Sequence, residues 1–214
     1  MSAGHAMFDT VGPRAQRWVR LVTALSVLLV LGLFALAYWR FYASGALAPS
    51  RWAPLYEPHN VRYLANALLN TAKAAGGAAA IALPLGLLLA VGRLSVRWWL
   101  RWPATAVIEL FRAVPVLLVI YIFMFALPAY GFNPDVYWKL VLPISICAAA
   151  ILAEVFRAGV LALPQGQTDA ALAVGMTKGK AFVHVVFPQA LRMVVPALVA
   201  QAVIVVKDTA FGYV

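Results

Sequence analysis

The sequence predicts an all-α polytopic integral membrane protein, and three observations predict it. Sixty-four per cent of the 214 residues are hydrophobic and only 11% are charged, too little charge to cover the surface of a water-soluble domain. Several runs approach the ~20 apolar residues that cross a bilayer as a helix. Those runs are continuous and do not alternate at period two, which argues against an outer-membrane barrel.

Five spans are read along the chain: roughly Val19 to Trp39, Leu64 to Val91, Ala104 to Leu127, Tyr137 to Val160 and Met193 to Tyr213. The first follows Arg14, Arg17 and Arg20 and precedes Ala46–Ala48, a pattern shared with signal peptides. Its apolar stretch exceeds the ~7–15 residues of a signal core, so it is read as a retained span. The net charge of +10 would suggest nucleic-acid binding in a soluble protein. Here the bases sit between spans and set orientation. Ten of them flank one side: Arg14, Arg17, Arg20, Arg93, Arg97, Arg101, Arg157, Lys178, Lys180 and Arg192. Four flank the other: Arg40, Arg51, Arg62 and Lys139. The positive-inside rule makes the richer side cytoplasmic, with the N-terminus inside.

The expected layout is a cytoplasmic tail at 1–18, an N-terminal span and external loop at 19–63, and a transmembrane domain at 64–214 with a cytoplasmic loop at about 165–190. Five spans from an inside N-terminus leave Val214 outside, at the end of a span with no polar tail or basic anchor. A sixth span returning to the cytoplasm is therefore expected beyond it. Cys147 is the sole cysteine, which excludes a disulfide framework or a cysteine-based metal site within one chain.

The cytoplasmic stretch DAALAVGMTKGKAFVHVVFP, Asp169 to Pro188, interrupts these runs. Pro164 and Gly166 end the fourth span. Thr168 is positioned to cap a short helix, with Asp169 in a first turn that favours an acid. Ala170, Ala171, Ala173 and Gly175 give that helix little side-chain bulk. Pro188 and Pro196 mark the restart into the fifth span. Two readings stand: an ordinary alanine-rich loop helix, or a helix built to dock into a partner's groove.

The stretch resembles the EAA loop of permease subunits of bacterial ABC importers. That pattern is Glu-Ala-Ala, three residues, Gly, nine residues, then Ile-x-Leu-Pro. This chain has Asp169-Ala170-Ala171, three residues, Gly175, nine residues, then Val185-Val186-Phe187-Pro188. It departs in Asp for Glu, Val for Ile and Phe for Leu. NTAKAAGGAAAIALPLGLLLAVGRLS, ELFRAVPVLL, AEVFRAGVLALPQGQ, FPQALRMVVPAL and VKDTAFGY are similar to the polar amino-acid branch of these permeases, from about Asn70 onward. More weakly, the N-terminal FDTVGPRAQRW and the extra span resemble glutamate permeases of high-GC Gram-positive bacteria. The resemblance implies the MetI-like type I importer fold and a bacterial cell-membrane location. It makes Asp169, Ala170, Ala171, Gly175 and Pro188 an ATPase-coupling segment.

Charges in the membrane cost ~2.5–3.5 kcal/mol each at mid-bilayer, so each needs a reason. Glu109 and Arg112 share a helical face, as a mutual salt bridge or as a ligand contact. Pro115 beyond them would loosen the helix. Glu154 and Arg157 repeat the spacing and read as a structural or coupling pair. Lys207 and Asp208 point about 100° apart, so they cannot both face lipid cheaply. The resemblance places Lys207, Asp208 and Thr209 near the translocation path, against the alternative of a polar clamp between helices. Glu109, Arg112, Lys207, Asp208 and Thr209 are the candidate pathway residues.

GMTKGKA has the wrong spacing for a phosphate loop, Ala181 where Ser or Thr belongs, and no preceding strand. His184 stands away from any ligand cluster. No catalytic group, cofactor or metal is expected. The implied partners are ABC ATPase subunits, an extracellular or periplasmic solute-binding protein, a second permease subunit in a homo- or heterodimer, an amino acid as cargo, and the lipid bilayer; nucleic acid is not among them. The expected activity is ATP-driven import of a polar amino acid, glutamate or a relative, with an opine or other small polar solute as the alternative cargo. An ATP-independent secondary transporter is the rival class, and it should show two related halves.

Overall fold

The computed structural model describes residues 12–213; the FDTV of the N-terminal tail and Val214 lie outside them. Two compact units are present, Met1–Leu64 and Ala65–Val214. The first holds α1 (Pro13–Ala43), α2 (Pro49–Trp52) with a 3-10 turn at Ala53–Tyr56, and the start of α3 (Pro58–Leu94). Helix α1 starts inside the stretch expected to be a tail, because Pro13 fits the first helical position. It stops at Ser44 and Gly45, whose φ of +66° suits glycine. The segment after it is folded rather than loose: the Trp52 indole donates to the Ala46 carbonyl at 2.9 Å, and the Asn60 amide to the Pro54 carbonyl at 2.7 Å.

The second unit continues α3 and adds α4 (Trp98–Ala113), α5 (Val116–Tyr121), α6 (Leu127–Ala129), α7 (Val136–Leu161), α8 (Gln165–Ala173), α9 (Lys178–Ala181) and α10 (Phe187–Asp208). Single π-helical turns at Ile122–Ala126 and Phe182–Val186 join α5 to α6 and α9 to α10. Among the described residues four helical runs are long and apolar enough to cross a membrane: Arg14–Ala43, Pro58–Leu94, Val136–Leu161 and Lys178–Gly212. The expected third span is not one straight helix. Its two parts, Trp98–Ala113 and Val116–Ala129, meet at 98° and make a fifth span only as a bent pair. Pro115 explains the break. It holds Val114 extended, at φ −88° and ψ 128°, because its ring crowds the preceding residue out of the helical region.

The fifth span also starts earlier than its prolines suggest. Thr177 caps α9, its hydroxyl accepting from the Lys180 N–H at 3.4 Å. The helix then runs on through the π turn into α10. Both π turns end two residues before a proline, Pro128 and Pro188. A proline ring meets the carbonyl four residues back, and widening the turn to i→i−5 bonding moves that carbonyl away. The bonds Leu127 N–H to Ile122 O and Phe187 N–H to Phe182 O have this spacing. Pro84, Pro143 and Pro196 lie in helices without such a turn, so proline permits the widening without forcing it.

The core is a close seam between α3 and α7. Ala74, Ala78, Ala82, Gly86 and Ala90 are buried at every fourth residue of α3, which puts them on one stripe. The alanines join Ile144, Ala148, Ala149, Leu152 and Phe156 of α7 in one apolar cluster. Lipid offers apolar groups as good a solvent as protein does, so small residues that bring backbones together do the packing. At Gly86 an added Cβ would stand 2.8 Å from Leu152 Cβ and 3.0 Å from the Ala149 carbonyl oxygen. Near the other end of the seam, the Tyr137 hydroxyl donates to the Lys73 carbonyl at 3.3 Å. Gly86→Leu should lower stability by about 1–3 kcal/mol through overpacking, read as an earlier thermal transition of the detergent-solubilised protein. Gly76→Leu, where nothing lies within 4 Å, should leave the transition unchanged or raise it slightly.

Candidate functional site

The break at Pro115 opens a cleft. It has a volume of about 370 Å³ and lies among Arg112 and Phe111 at the end of α4, Val114 and Val116 at the break, Cys147, Ala148 and Ile151 on α7, and Gln201 and Asp208 on α10. That volume is in the range of small-molecule sites. Gln201 and Asp208 are two turns apart and so share a face of α10. Arg112 stands in the last turn of α4, where the negative end of the helix dipole favours a cation. Asp208 is the last residue of α10, where the same dipole disfavours an anion. It makes no salt bridge among the described residues, so it is a carboxylate in want of a positive partner.

The five candidate pathway residues therefore separate. Arg112 and Asp208 line one cleft. Lys207 is exposed on another face of the helix. Thr209 is buried, and its hydroxyl is committed to the Val206 carbonyl at 2.7 Å. Glu109 lies outside the lining and belongs to an ion network that the sequence did not reveal. Arg93, at the end of α3, reaches Glu109 Oε1 at 2.8 Å and Glu154 Oε1 at 2.7 Å. Arg112 is a weaker neighbour of Glu109, at 3.5 Å. The expected Glu154–Arg157 pair forms, with Arg157 Nη2 and Nε at 2.9 and 3.1 Å from Oε2. Arg93 Nη1 and Glu154 Oε1 are both buried and are misaligned for a hydrogen bond despite their closeness; the contact is one of charge. Arg93 thus links α3, α4 and α7 with one guanidinium, whose planar fork suits two carboxylates.

The second feature is the helix after the fourth span. Helix α8 begins at Gln165, not at Thr168: Pro164 occupies the cap position without a side-chain bond, and Asp169 falls after the first turn. Asp169, Ala170 and Ala173 are exposed, while Ala171 is buried. Gly175 is not part of the helix. It lies just past its end at φ +85°. The Gly175 N–H donates to Leu172 O at 3.0 Å and the Met176 N–H to Ala171 O at 3.2 Å, the paired bonds of a Schellman cap. Glycine is needed there for its backbone, because other residues are strained at positive φ. Val174 beside it is 75% exposed. A bond from the Gln189 amide to Gln167 Oε1 at 3.0 Å ties α8 to α10, beside the exposed Pro188.

Residues 82–214 match the family described as the binding-protein-dependent transport system inner membrane component. The chain belongs to this family. It is a membrane permease component, and its fold is that of the ABC importer permeases. It is 34% identical over 175 residues to the glutamate transport system permease protein GluD of Corynebacterium glutamicum, covering 79% of this chain and 64% of GluD. The chain therefore spans somewhat under two thirds of that relative's length. It is 34% identical over 160 residues to the glutamate/aspartate import permease protein GltK of Escherichia coli, covering 71% of each. Among solved structures it is similar to an amino acid ABC transporter crystallised with histidines, with a TM-score of 0.65, 29% identity, and 72% and 73% of the two chains covered.

Cys147 gives this permease a native reporter, because the only thiol lines the cleft. Small methanethiosulfonates of either charge should label it. Asp208→Asn should shift the rate ratio toward the anionic reagent, and Arg112→Gln toward the cationic one. Mass-spectrometric labelling rates check this, and a ratio indifferent to both changes would contradict the cleft.

Proposed function

We propose that this chain is the membrane permease subunit of an ATP-driven ABC importer for a polar amino acid, glutamate or a close relative. One observation carries the reading: a cation and an unpaired carboxylate line a single cleft between apolar helices. An amino acid presents one carboxylate and one ammonium, so Arg112 and Asp208 can each take one end of it. The similarity to GluD and GltK supports that cargo class.

Helix α8 supplies the coupling. Its exposed face of Asp169, Ala170 and Ala173 is nearly smooth and suits a groove on an ATPase subunit. Pro188 and the Gln167–Gln189 bond link it mechanically to α10, which carries Gln201 and Asp208. In this reading ATP binding closes the paired ATPases and swings α8 in each of two permease subunits. The pathway then opens outward to take cargo from a solute-binding protein, and hydrolysis resets it. The subunit sits in the bacterial cell membrane with its N-terminus and α8 in the cytoplasm, consistent with the bias of its basic residues. The ATPase chemistry belongs to the partner.

Asp208→Asn should reduce uptake into proteoliposomes of the assembled transporter at least tenfold, about 1.4 kcal/mol, while assembly is retained. Ala173→Trp should abolish co-purification of the ATPase while membrane insertion stays normal. Uptake that proceeds without ATP, or an ATPase that still binds the tryptophan variant, would refute the reading.

A further inference from the structure

Gln201 is a lone amide in the apolar run of α10, and it is only 5% exposed. It makes no hydrogen bond within the described residues. A primary amide offers two donors and two acceptor sites; those of Gln201 are without a protein partner among the described residues and are not sealed off, so they are open to a bound molecule. Gln201 lines the cleft shared with Arg112 and Asp208, where a partner can sit.

The charges around this space balance. Arg112 contributes one positive and Asp208 one negative charge, and no other Asp, Glu, Lys, Arg or His is among its lining residues. Glu109 is held mainly by Arg93 at 2.8 Å and touches Arg112 only at 3.5 Å, and Lys207 lies on another face. The backbone carboxylate and ammonium of an amino acid would match the two charges. Nothing is left to pair a charge on the cargo's side chain, and an unpaired charge in an apolar site is strongly disfavoured. An amide side chain, in contrast, both donates to and accepts from Gln201.

We propose that Gln201 is the specificity-determining residue of the cleft, and that the cleft selects a net-neutral amino acid with an amide side chain over its acidic counterpart. The inference rests on the reading of the cleft as the cargo site; within the same polar amino-acid class it favours the amide relative of glutamate over glutamate itself. A site that hydrogen-bonds a polar side chain rejects analogues lacking that group far more strongly than an apolar pocket rejects an extra methylene.

The test measures binding of radiolabelled glutamine, glutamate and arginine to the purified permease–ATPase complex without the solute-binding protein, so that only the membrane site discriminates. The wild type should prefer glutamine to glutamate at least tenfold. Gln201→Glu should shift the arginine-to-glutamine ratio at least tenfold toward arginine. Gln201→Leu should remove the preference for glutamine over methionine. Asp208→Asn serves as the control for the site itself. If binding depends on Asp208 while the ratios ignore Gln201, or if the wild type prefers glutamate, this inference is overturned and the cargo-site reading survives. If no amino acid binds, or binding ignores Asp208, both fall.

Discussion

One guanidinium shared between two carboxylates holds the functional half of this molecule together. Helix α4 leaves the chain direction at 98° and cannot rely on α5 to fix its position. The Arg93 contacts with Glu109 and Glu154 hold it against α3 and α7. They also give both acids a counter-charge, for Glu154 in addition to Arg157. Arg93 and Glu154 are only 20% and 18% exposed, so little solvent is available to weaken the contact. With Glu109 occupied, Arg112 at the end of the same helix is left to face the cleft.

Proline divides the labour between rigid and yielding parts. The α3–α7 seam has its small residues in continuous register and stays helical through Pro84 and Pro143. The break at Pro115 makes the cleft. The π turn before Pro188 lies between the exposed α8–α9 segment and α10. The His184 ring bonds to the Lys180 carbonyl at 3.0 Å there, within the turn whose regular hydrogen bonding is altered. Widened turns of this kind recur at functional sites in helices. In this chain, one sits where a push on α8 would have to pass to reach Gln201 and Asp208.

The sequence made the long helices legible because hydrophobicity is an additive, local property. The α3 and α7 runs stand out without any knowledge of their partners. Pro115 announced a loosened helix but neither the break nor its angle, since the direction taken after a break depends on what α4 packs against. The GMTKGKA stretch invites comparison with a phosphate loop and fails it, whereas Thr177 caps a helix there; its glycine and lysines concealed a start signal that a single hydroxyl provides. Gly175 had the right spacing for the coupling pattern, but its role as a positive-φ cap just beyond the helix is a backbone property. Arg93 looked like an orientation charge because its partners lie on two later helices. Gln201 was overlooked because it bears no charge, although a single amide within an apolar run was a signal in plain view.

The claim that Arg93 fastens the three helices is open to a double-mutant cycle. Arg93→Gln, Glu154→Gln and the double variant would be compared by thermal unfolding of the intact complex in detergent. Each partner keeps another ion contact, Glu154 with Arg157 and Arg93 with Glu109, so each single variant should cost less than the about 3 kcal/mol of a fully uncompensated buried charge. Removing both partners should recover part of that loss, with a coupling energy above about 1 kcal/mol. Losses that simply add, to within about 0.5 kcal/mol, would show that Arg93 and Glu154 act independently and that α4 is held by something else.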